Sequence, residues 1–250
     1  MTPPRVIRLD LAYDGTDFRG FNIQPESRTI QGVLEAAWSQ TIGETVRFTP
    51  AGRTDTGVHA AGQVVSVRTS CLWSAAQIQR ALNASLSDDV AILAAQDDVD
   101  GFDARRSARM RHYRYTIWNG TVPHVLQRRF SWHVPQPLDQ LRMRLASAQL
   151  VGRHDFRFFA ARLARSSVQS TWRTVSHAAW SQNDDGFLFF DISADGFLRR
   201  MVRGVVGTLV AVGKGRLSLD DVYLRLQGSI TSGQADFAPP HGLSLTRVDY

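Results

Sequence analysis

The spacing of apolar positions in the first hundred residues switches between the period of a strand and the period of a helix. Ile7, Leu9 and Leu11 alternate with more polar residues, which is typical of a half-buried strand. The predicted elements are, in order, a strand over 6–13, a helix from Ile30 to near Gly43, strands through Val46 and Val67, a second helix and a strand over 90–95. The second helix begins with the capping box at Ser74–Gln77 and has Ile78 and Leu82 on its apolar face. This order predicts an α/β layer with helices on one face of a sheet.

The remaining residues repeat the same types of element. The predicted elements are a strand over 111–118, an irregular connection over 121–137, a helix with Leu138, Leu141 and Leu145 at core positions, a hairpin of 171–181 and 187–193 across Asn183–Gly186, a long helix from Phe197 to Val212, a short helix over 219–226, and a strand through Leu243, Leu245 and Val248. We therefore expect two similar halves, an N-terminal one over 1–100 and a C-terminal one over 101–250.

The predicted long helix carries an arginine cluster on its polar side. Arg199, Arg200 and Arg203 fall together there, and apolar residues fill the opposite half-circle. The cluster follows Asp195-Gly196 at the start of the helix, where free backbone N–H groups favour phosphates. A solvated face is the alternative interpretation of such a trio.

The stretch from Ala51 to Ala60 combines one carboxylate, one guanidinium and two glycines. Valines flank it on both sides, which indicates a loop carried between buried strands, a position where catalytic groups tend to lie. Arg53 precedes Asp55 by two residues, and its positive charge favours the ionised form of the Asp55 carboxylate. A surface turn with an ion pair of little consequence is the alternative.

Composition and charge narrow the class of protein. The chain has 250 residues, 43% of them hydrophobic, and Cys71 is the only cysteine, so a disulfide within the chain is excluded and a cytoplasmic protein is expected. No apolar run reaches the length of a membrane span, and the first residues do not resemble a signal peptide.

The positive charge is concentrated in one region. Residues 101–173 contain 14 arginines and three aspartates, a net charge of +11, whereas the whole chain has a net charge of +6. Aromatic residues are interleaved with these arginines. Arginines neutralise phosphates and aromatic side chains stack on bases, so this combination predicts an RNA-binding surface. We expect it to include Arg105 and Arg111, together with Arg199 and Arg200.

Several other chemistries do not fit the sequence. Gly213-Lys214-Gly215 lacks the spacing and the hydroxyl residue of a phosphate-binding loop, and no nucleotide-binding glycine motif follows a strand. The seven histidines show no ligand spacing, so no metal site is expected and His59 is interpreted as structural. Asp55-Thr56-Gly57 matches an aspartic protease signature, but that chemistry needs two aspartates sharing a proton and the chain has no second copy.

Short motifs spread along nearly the whole chain resemble those of tRNA pseudouridine synthases of the A type. The motifs are Tyr13-Asp14-Gly15, Ala51–Asp55, Gly57-Val58-His59, Gly62-Gln63-Val64, Phe102–Arg105, Tyr113-Arg114-Tyr115, Phe197–Arg203 and Gly242-Leu243. Their order and span make the resemblance specific. The sequence departs from the family pattern at Phe21, Thr56 and Ser87, where tryptophan, alanine and proline are common.

The resemblance implies the fold, the reaction and the site. The fold would be α+β, with two similar halves around a continuous mixed sheet and a central basic cleft. The reaction would convert uridine to pseudouridine at positions 38, 39 and 40 of the tRNA anticodon stem-loop, in a homodimer without a cofactor. The residues that match the family's site are Asp55 as the catalytic aspartate, Arg53 as its partner, Tyr113 as the residue that stacks on the base, and Arg203 and Leu243 in the pocket.

Two questions stay open at the level of the sequence. The Asp55 carboxylate could attack the ribose, attack the uracil ring or remove a proton from the sugar. A non-catalytic RNA-binding module would use the same basic region without any need for Asp55. Release of tritium from C5 of uracil distinguishes the enzyme from such a module.

Overall fold

The computed structural model describes residues 4–161, 170–229 and 236–250. The chain divides into two compact units, which we call the first and the second unit. The first unit comprises the residues up to Arg111 together with Ser244–Tyr250, and the second unit comprises His112–Leu243. The first unit therefore extends beyond the boundary expected at residue 100, and it also takes up most of the C-terminal strand.

The described residues form ten strands and five α-helices. The strands are β1 (Arg5–Tyr13), β2 (Thr49–Pro50), β3 (His59–Thr69), β4 (Val90–Asp98), β5 (Met110–Trp118), β6 (Trp132–His133), β7 (Gly152–Asp155), β8 (Trp172–Gln182), β9 (Phe187–Ala194) and β10 (Leu243–Asp249). The helices are α1 (Ile30–Ile42), α2 (Ala75–Ser85), α3 (Gln140–Ala148), α4 (Met201–Gly213) and α5 (Leu219–Leu226). The strand pairs are mostly antiparallel, which confirms the predicted α+β class.

The first unit is built on strands in the order β4-β1-β3-β10. The apolar side chains of β1 that alternate in sequence are fully buried in its core. Two helix boundaries are confirmed in detail: α1 ends at Gly43, whose φ of 80° is left-handed, and α2 begins with a complete Ser74–Gln77 capping box. The sequence signals were sufficient here because both boundaries depend on local chemistry.

The second unit contains strands in the order β5-β9-β8-β7, with the short β6 parallel to β5 inside the predicted irregular connection. The predicted hairpin of β8 and β9 is confirmed, and the Asn183 side chain accepts a hydrogen bond from Phe187 N at 2.9 Å across the turn. Helix α4 is buried on nearly every side, rather than on the predicted half-circle. Its glycines allow this, because they let neighbouring backbone approach the helix closely.

Two predicted details of the helices and strands are wrong. Leu141 and Leu145 are 68% and 50% exposed, and the buried face of α3 is formed instead by Met143, Ala146 and Ser147. Met143 lies against Gly213 of α4, so α3 packs on α4 with the face that carries Met143 rather than with the leucines. The strand expected through Val46 is also absent from the described residues, since the segment before the loop becomes a strand only at β2.

The start of α4 is also different from the prediction. The helix begins at Met201, and Arg200 precedes it with a left-handed φ of 62°. Phe197 and Arg199 therefore lie outside the helix, and of the three predicted helical arginines only Arg203 belongs to it. No glycine or proline marks this break in the sequence, which is why periodicity alone extended the helix too far.

The close approach at Gly204 leads to a prediction about stability. A Cβ atom at this position would overlap the backbone carbonyl of Phe159, which cannot rotate away as a side chain could. We expect Gly204→Ala to lower the free energy of unfolding by about 3 kcal/mol, the upper range for overpacking. Urea denaturation measures this change. Gly196→Ala is the matched control, because its Cβ would make only ordinary contact with Arg173, and equal stability of the two variants would contradict the packing described here.

Candidate active site

Asp55 lies on a short loop of the first unit, residues 51–58 between β2 and β3, which we call the Asp55 loop. Its backbone is tied at several points: Phe21 N donates to Thr54 O at 3.1 Å, and Val58 N donates to Asp55 O at 3.1 Å. Asp55 is half-buried, whereas Arg53 is exposed. The loop therefore presents a carboxylate on a fixed backbone at the edge of the solvent.

A buried hydrogen-bond network holds the middle of the Asp55 loop. Gln63, which is fully buried on β3, donates from Nε2 to Gly52 O at 2.7 Å and to the Tyr13 hydroxyl at 3.2 Å. The Tyr13 hydroxyl lies 2.8 Å from Thr54 Oγ1. Burial raises the pKa of Tyr13 to about 12, so its hydroxyl keeps its proton at neutral pH. This network fixes Gly52 and Thr54 on either side of Arg53.

The first residue of the Asp55 loop is held by Arg111. The guanidinium donates to Ala51 O from Nε at 3.2 Å and from Nη2 at 3.0 Å. It also donates to Ala108 O at 3.1 Å and to Arg105 O at 2.6 Å. All three acceptors are backbone carbonyl oxygens of the first unit.

His59 lies at the end of the Asp55 loop and has structural contacts. Its buried ring accepts a hydrogen bond at Nδ1 from Gly15 N at 3.0 Å, and the same atom lies 3.1 Å from Asp14 Oδ1. Gly15 has no room for a side chain, because a Cβ atom there would overlap the backbone of Val58. The turn after β1 and the Asp55 loop are therefore packed directly on each other, which supports the structural interpretation of His59.

The second unit carries the aromatic part of the predicted site. Tyr113 on β5 is only 7% exposed, and its ring meets Phe197 edge to face with 5.1 Å between the centroids. Tyr113, Tyr115 and Ile117 alternate along β5, and all three are buried. Tyr113 thus belongs to an apolar surface, and its ring is oriented by a neighbouring aromatic side chain.

Arg203 and Leu243 belong to one connected part of the second unit. Arg203 Nε donates to Ala238 O at 2.7 Å, and Ala238 N donates back to Arg203 O at 3.0 Å. The Tyr115 hydroxyl donates to Pro239 O at 2.8 Å, and burial raises the pKa of Tyr115 well above its usual range. The segment that leads to Leu243 is therefore attached to α4 and β5, and Leu243 itself is buried.

The predicted RNA-binding arginines differ in their surroundings. Arg105 is exposed on a tight turn of the first unit, in which Asp103 Oδ1 accepts from Arg105 N and Arg106 N at 2.9 and 2.8 Å. Arg199 and Arg200 are exposed in the second unit, and the Arg200 guanidinium lies 5.6 Å from the centre of the Phe237 ring. All three side chains are thus accessible to a polyanion.

Sequence reasoning missed the residues that hold the site together. Gln63 and Tyr13 were quoted as parts of motifs, but no role in positioning the Asp55 loop was assigned to them. The available signal for Gln63 was its place directly before the apolar pair Val64 and Val65 in a predicted strand, because a buried amide needs partners. No local signal exists for the contact between Arg111 and Ala51, because 60 positions separate them.

The described residues contain neither a helix that could span a membrane nor a cluster of side chains that could hold a metal ion. None of the helices found there is long and apolar enough to cross a membrane. In residues 4–161, 170–229 and 236–250 there is also no group of three or more His, Cys, Asp or Glu side chains arranged to hold a metal ion.

Comparisons with known proteins agree with the motifs. The model of a family described as tRNA pseudouridine synthase matches residues 11–105 and 146–250. The chain is 44% identical over 246 residues to a tRNA pseudouridine synthase A of Moorella thermoacetica, covering 98% of this chain and 99% of that protein. It is 43% identical over 253 residues to a tRNA pseudouridine synthase A of a Roseiflexus species, covering 98% and 91%. A third such relative, from Halalkalibacterium halodurans, is 41% identical over 95% of this chain and 89% of its own length.

The chain belongs to the tRNA pseudouridine synthase family, and it is an isomerase that converts uridine to pseudouridine in tRNA. Its α+β fold is the fold of this family.

Proposed function

We propose that Asp55 is the catalytic carboxylate of this isomerisation. The observation that carries the proposal is the construction of the Asp55 loop: Arg111, Gln63 and Tyr13 reach it from three other segments and hold Ala51, Gly52 and Thr54. Catalysis requires such fixed placement, because a reacting group held in position avoids the entropy cost of finding it. The half-buried Asp55 carboxylate is the acidic group that this frame presents.

The reaction needs a carboxylate and no external reactant. The bond between N1 of uracil and C1′ of the ribose breaks, the ring turns, and a new bond forms between C5 and C1′. The proton on C5 is released to the solvent, and N1 takes up a proton, so atoms and electrons balance without oxidation or a phosphate donor. An ionised Asp55 serves this chemistry by attacking the ribose, by attacking the ring, or by removing a proton from the sugar.

The base must leave the helical stack before it can react. Extrusion costs a few kcal/mol, which stacking on an aromatic side chain and contacts to phosphates offset. We assign the stacking to Tyr113, and we assign Arg203 and Leu243 to the pocket that receives the uracil. We place Arg53 beside the Asp55 carboxylate in the complex with RNA, and Arg105, Arg199 and Arg200 on the phosphates.

We further propose that the substrate region is the anticodon stem-loop, at positions 38, 39 and 40. The protein would act as a homodimer in the cytoplasm and would need no nucleotide cofactor. These assignments rest on the resemblance of the motifs, and the basic arginines are suitable for a folded RNA.

Mapping the product tests this assignment of the substrate. Transcripts of one tRNA are prepared with the uridine at position 38, 39 or 40 replaced by cytidine, and the modified nucleotides are located by carbodiimide labelling and primer extension. We expect the signal to disappear only at the replaced position. Pseudouridine that forms elsewhere in the tRNA, with none in the anticodon stem-loop, would contradict the proposal.

The exposed arginines before α4 make binding sensitive to salt. If each meets one phosphate, replacing Arg199 and Arg200 by alanine should lower the slope of log K against log salt concentration by about one to two. Filter binding at several salt concentrations measures the slope. The double variant Arg47→Ala/Arg68→Ala is the matched control, because it removes the same charge from exposed arginines that pair with Glu35 and Asp100. Equal slopes for both double variants would remove Arg199 and Arg200 from the RNA interface.

A further inference from the structure

Arg111 was predicted to bind RNA, but its surroundings in the first unit indicate another use. The guanidinium is half-buried and donates hydrogen bonds to three backbone carbonyl oxygens, those of Ala51, Arg105 and Ala108. Two of its nitrogens share Ala51 O as acceptor. The N–H donors of a guanidinium have a fixed planar arrangement, and those that bind these carbonyl groups are not available to a phosphate.

Ala51 is the position at which the fixed sheet becomes the Asp55 loop. Ala51 N donates to Val64 O at 2.8 Å, so one side of this residue belongs to the sheet with β3. Ala51 is buried, and its carbonyl group therefore needs a partner inside the protein. Arg111 supplies that partner, and it does so with a charged donor, which makes the stronger type of hydrogen bond.

The neighbouring residue is held from another direction. Gly52 O accepts from Gln63, so consecutive carbonyl groups of the same strand end are fixed by two side chains from different elements. Loss of either contact would allow the peptide units before Asp55 to rotate. A displacement of about 1 Å at a reacting group can lower the rate by roughly a hundredfold.

The Arg111 guanidinium also contacts the turn that carries the exposed side chains of Arg105 and Arg106. Arg105 O is one of its acceptors, and Asp103 orders this turn through hydrogen bonds to the backbone N–H groups of Arg105 and Arg106. The turn is further attached to β3, because Ala104 N donates to Ser66 Oγ at 3.0 Å. One side chain therefore joins the Asp55 loop to a turn whose arginine side chains point to solvent.

We infer that Arg111 is a positioning residue for the isomerisation: it fixes the start of the Asp55 loop against the Arg105–Arg106 turn and does not bind phosphate. The inference rests on the proposed role of Asp55. It predicts that Arg111 affects the rate of the chemical step and leaves the affinity for tRNA unchanged.

The test compares Arg111→Ala with the wild-type protein in single-turnover tritium release from tRNA, with the protein in excess. We expect the rate constant at saturation to fall by roughly ten- to a hundredfold, with the Kd for tRNA and its salt slope unchanged. A phosphate contact would instead weaken binding and lower the slope by about one. Thermal unfolding is followed in parallel, and Arg68→Ala, which removes an exposed arginine of the same unit, is the control expected to behave like wild type.

Two further measurements separate positioning from a general loss of structure. Ethylguanidinium, added at a concentration that leaves the wild-type rate unchanged, should restore part of the rate of Arg111→Ala, because it can occupy the space and satisfy Ala51 O. Ethylammonium has no fork of donors and should restore much less. If Arg111→Ala does not fold, Arg111→Lys provides the same comparison: positioning predicts a lowered rate with unchanged Kd, and a phosphate contact predicts a nearly normal rate.

Asp55→Asn is measured alongside to separate the two proposals. If Asp55→Asn keeps its activity, the proposed catalytic role of Asp55 fails. If Asp55→Asn is inactive while folded Arg111→Ala or Arg111→Lys has the wild-type single-turnover rate, or a lowered salt slope, the inference about Arg111 is overturned and the role of Asp55 stands.

Discussion

Replacement of Asp55 by asparagine should abolish the conversion of uridine to pseudouridine. The change keeps the shape of the side chain and removes its charge, so the contacts that hold the Asp55 loop through Ala51, Gly52 and Thr54 are preserved. We expect the rate to fall on the order of a thousandfold or more, as is usual when a catalytic group is removed. Tritium release from tRNA labelled at C5 of uracil measures this loss.

Binding should survive the same substitution. Phosphate contacts dominate the affinity of proteins for nucleic acids, and the exposed arginines that would make them lie at other positions. The Kd of Asp55→Asn for tRNA should therefore remain within about threefold of the wild-type value, a small difference in free energy. Asp88→Asn, at an exposed aspartate outside the proposed site, is the matched control and should keep full activity. Activity of Asp55→Asn within tenfold of the wild type would remove Asp55 from the catalytic role.

Replacement of Tyr113 by leucine should cause the second large loss. If the ring stacks on the extruded uracil, its removal costs the stacking free energy of about 1–3 kcal/mol. The catalytic efficiency should then fall by roughly ten- to a hundredfold. Tyr113→Phe keeps the ring and its edge contact with Phe197, and we expect a smaller loss for this variant. Steady-state tritium release and tRNA binding measure both effects.

The burial of Tyr113 makes a control for stability necessary. Tyr113 is 7% exposed, so a tyrosine that only fills the core would lose stability and activity together in the leucine variant. Circular dichroism on heating distinguishes this outcome, with Tyr223→Leu as a control at an exposed tyrosine on α5. Parallel losses of stability and activity in both Tyr113 variants would contradict stacking. Rearranged product that accumulates in Tyr113→Phe without tritium release would assign the hydroxyl to removal of the C5 proton.

The parts of the fold that depend on local chemistry were predictable. The capping box at Ser74, the end of α1 at Gly43 and the alternation on β1 each follow from a few adjacent residues, and the structure confirms them. The wrong predictions concern features that are determined by contacts between residues far apart in the sequence. The face of α3 that is buried depends on its packing against α4, where Met143 lies against Gly213, and the break at Arg200 has no residue that marks it.

The candidate site shows the same division. The residue types at Asp55 and Tyr113 and the motifs around them could be recognised along the chain. The frame that holds the Asp55 loop could not, because Tyr13, Gln63 and Arg111 come from separate segments and meet the loop only after folding. Arg111 illustrates the consequence: its charge predicts an RNA contact, and the hydrogen bonds that it donates to Ala51, Arg105 and Ala108 could not be foreseen from the sequence.

Tritium release from tRNA labelled at C5 of its uridines tests the central claim most directly, since C5 loses its hydrogen only when it becomes bonded to the ribose. The assay uses the wild-type protein, an unmodified transcript and no added nucleotide, with Asp55→Asn in a parallel reaction. We predict that the wild-type protein releases tritium in proportion to the uridines converted and that Asp55→Asn releases none above background. Tight binding of tRNA by the wild-type protein without any release of tritium would contradict the account.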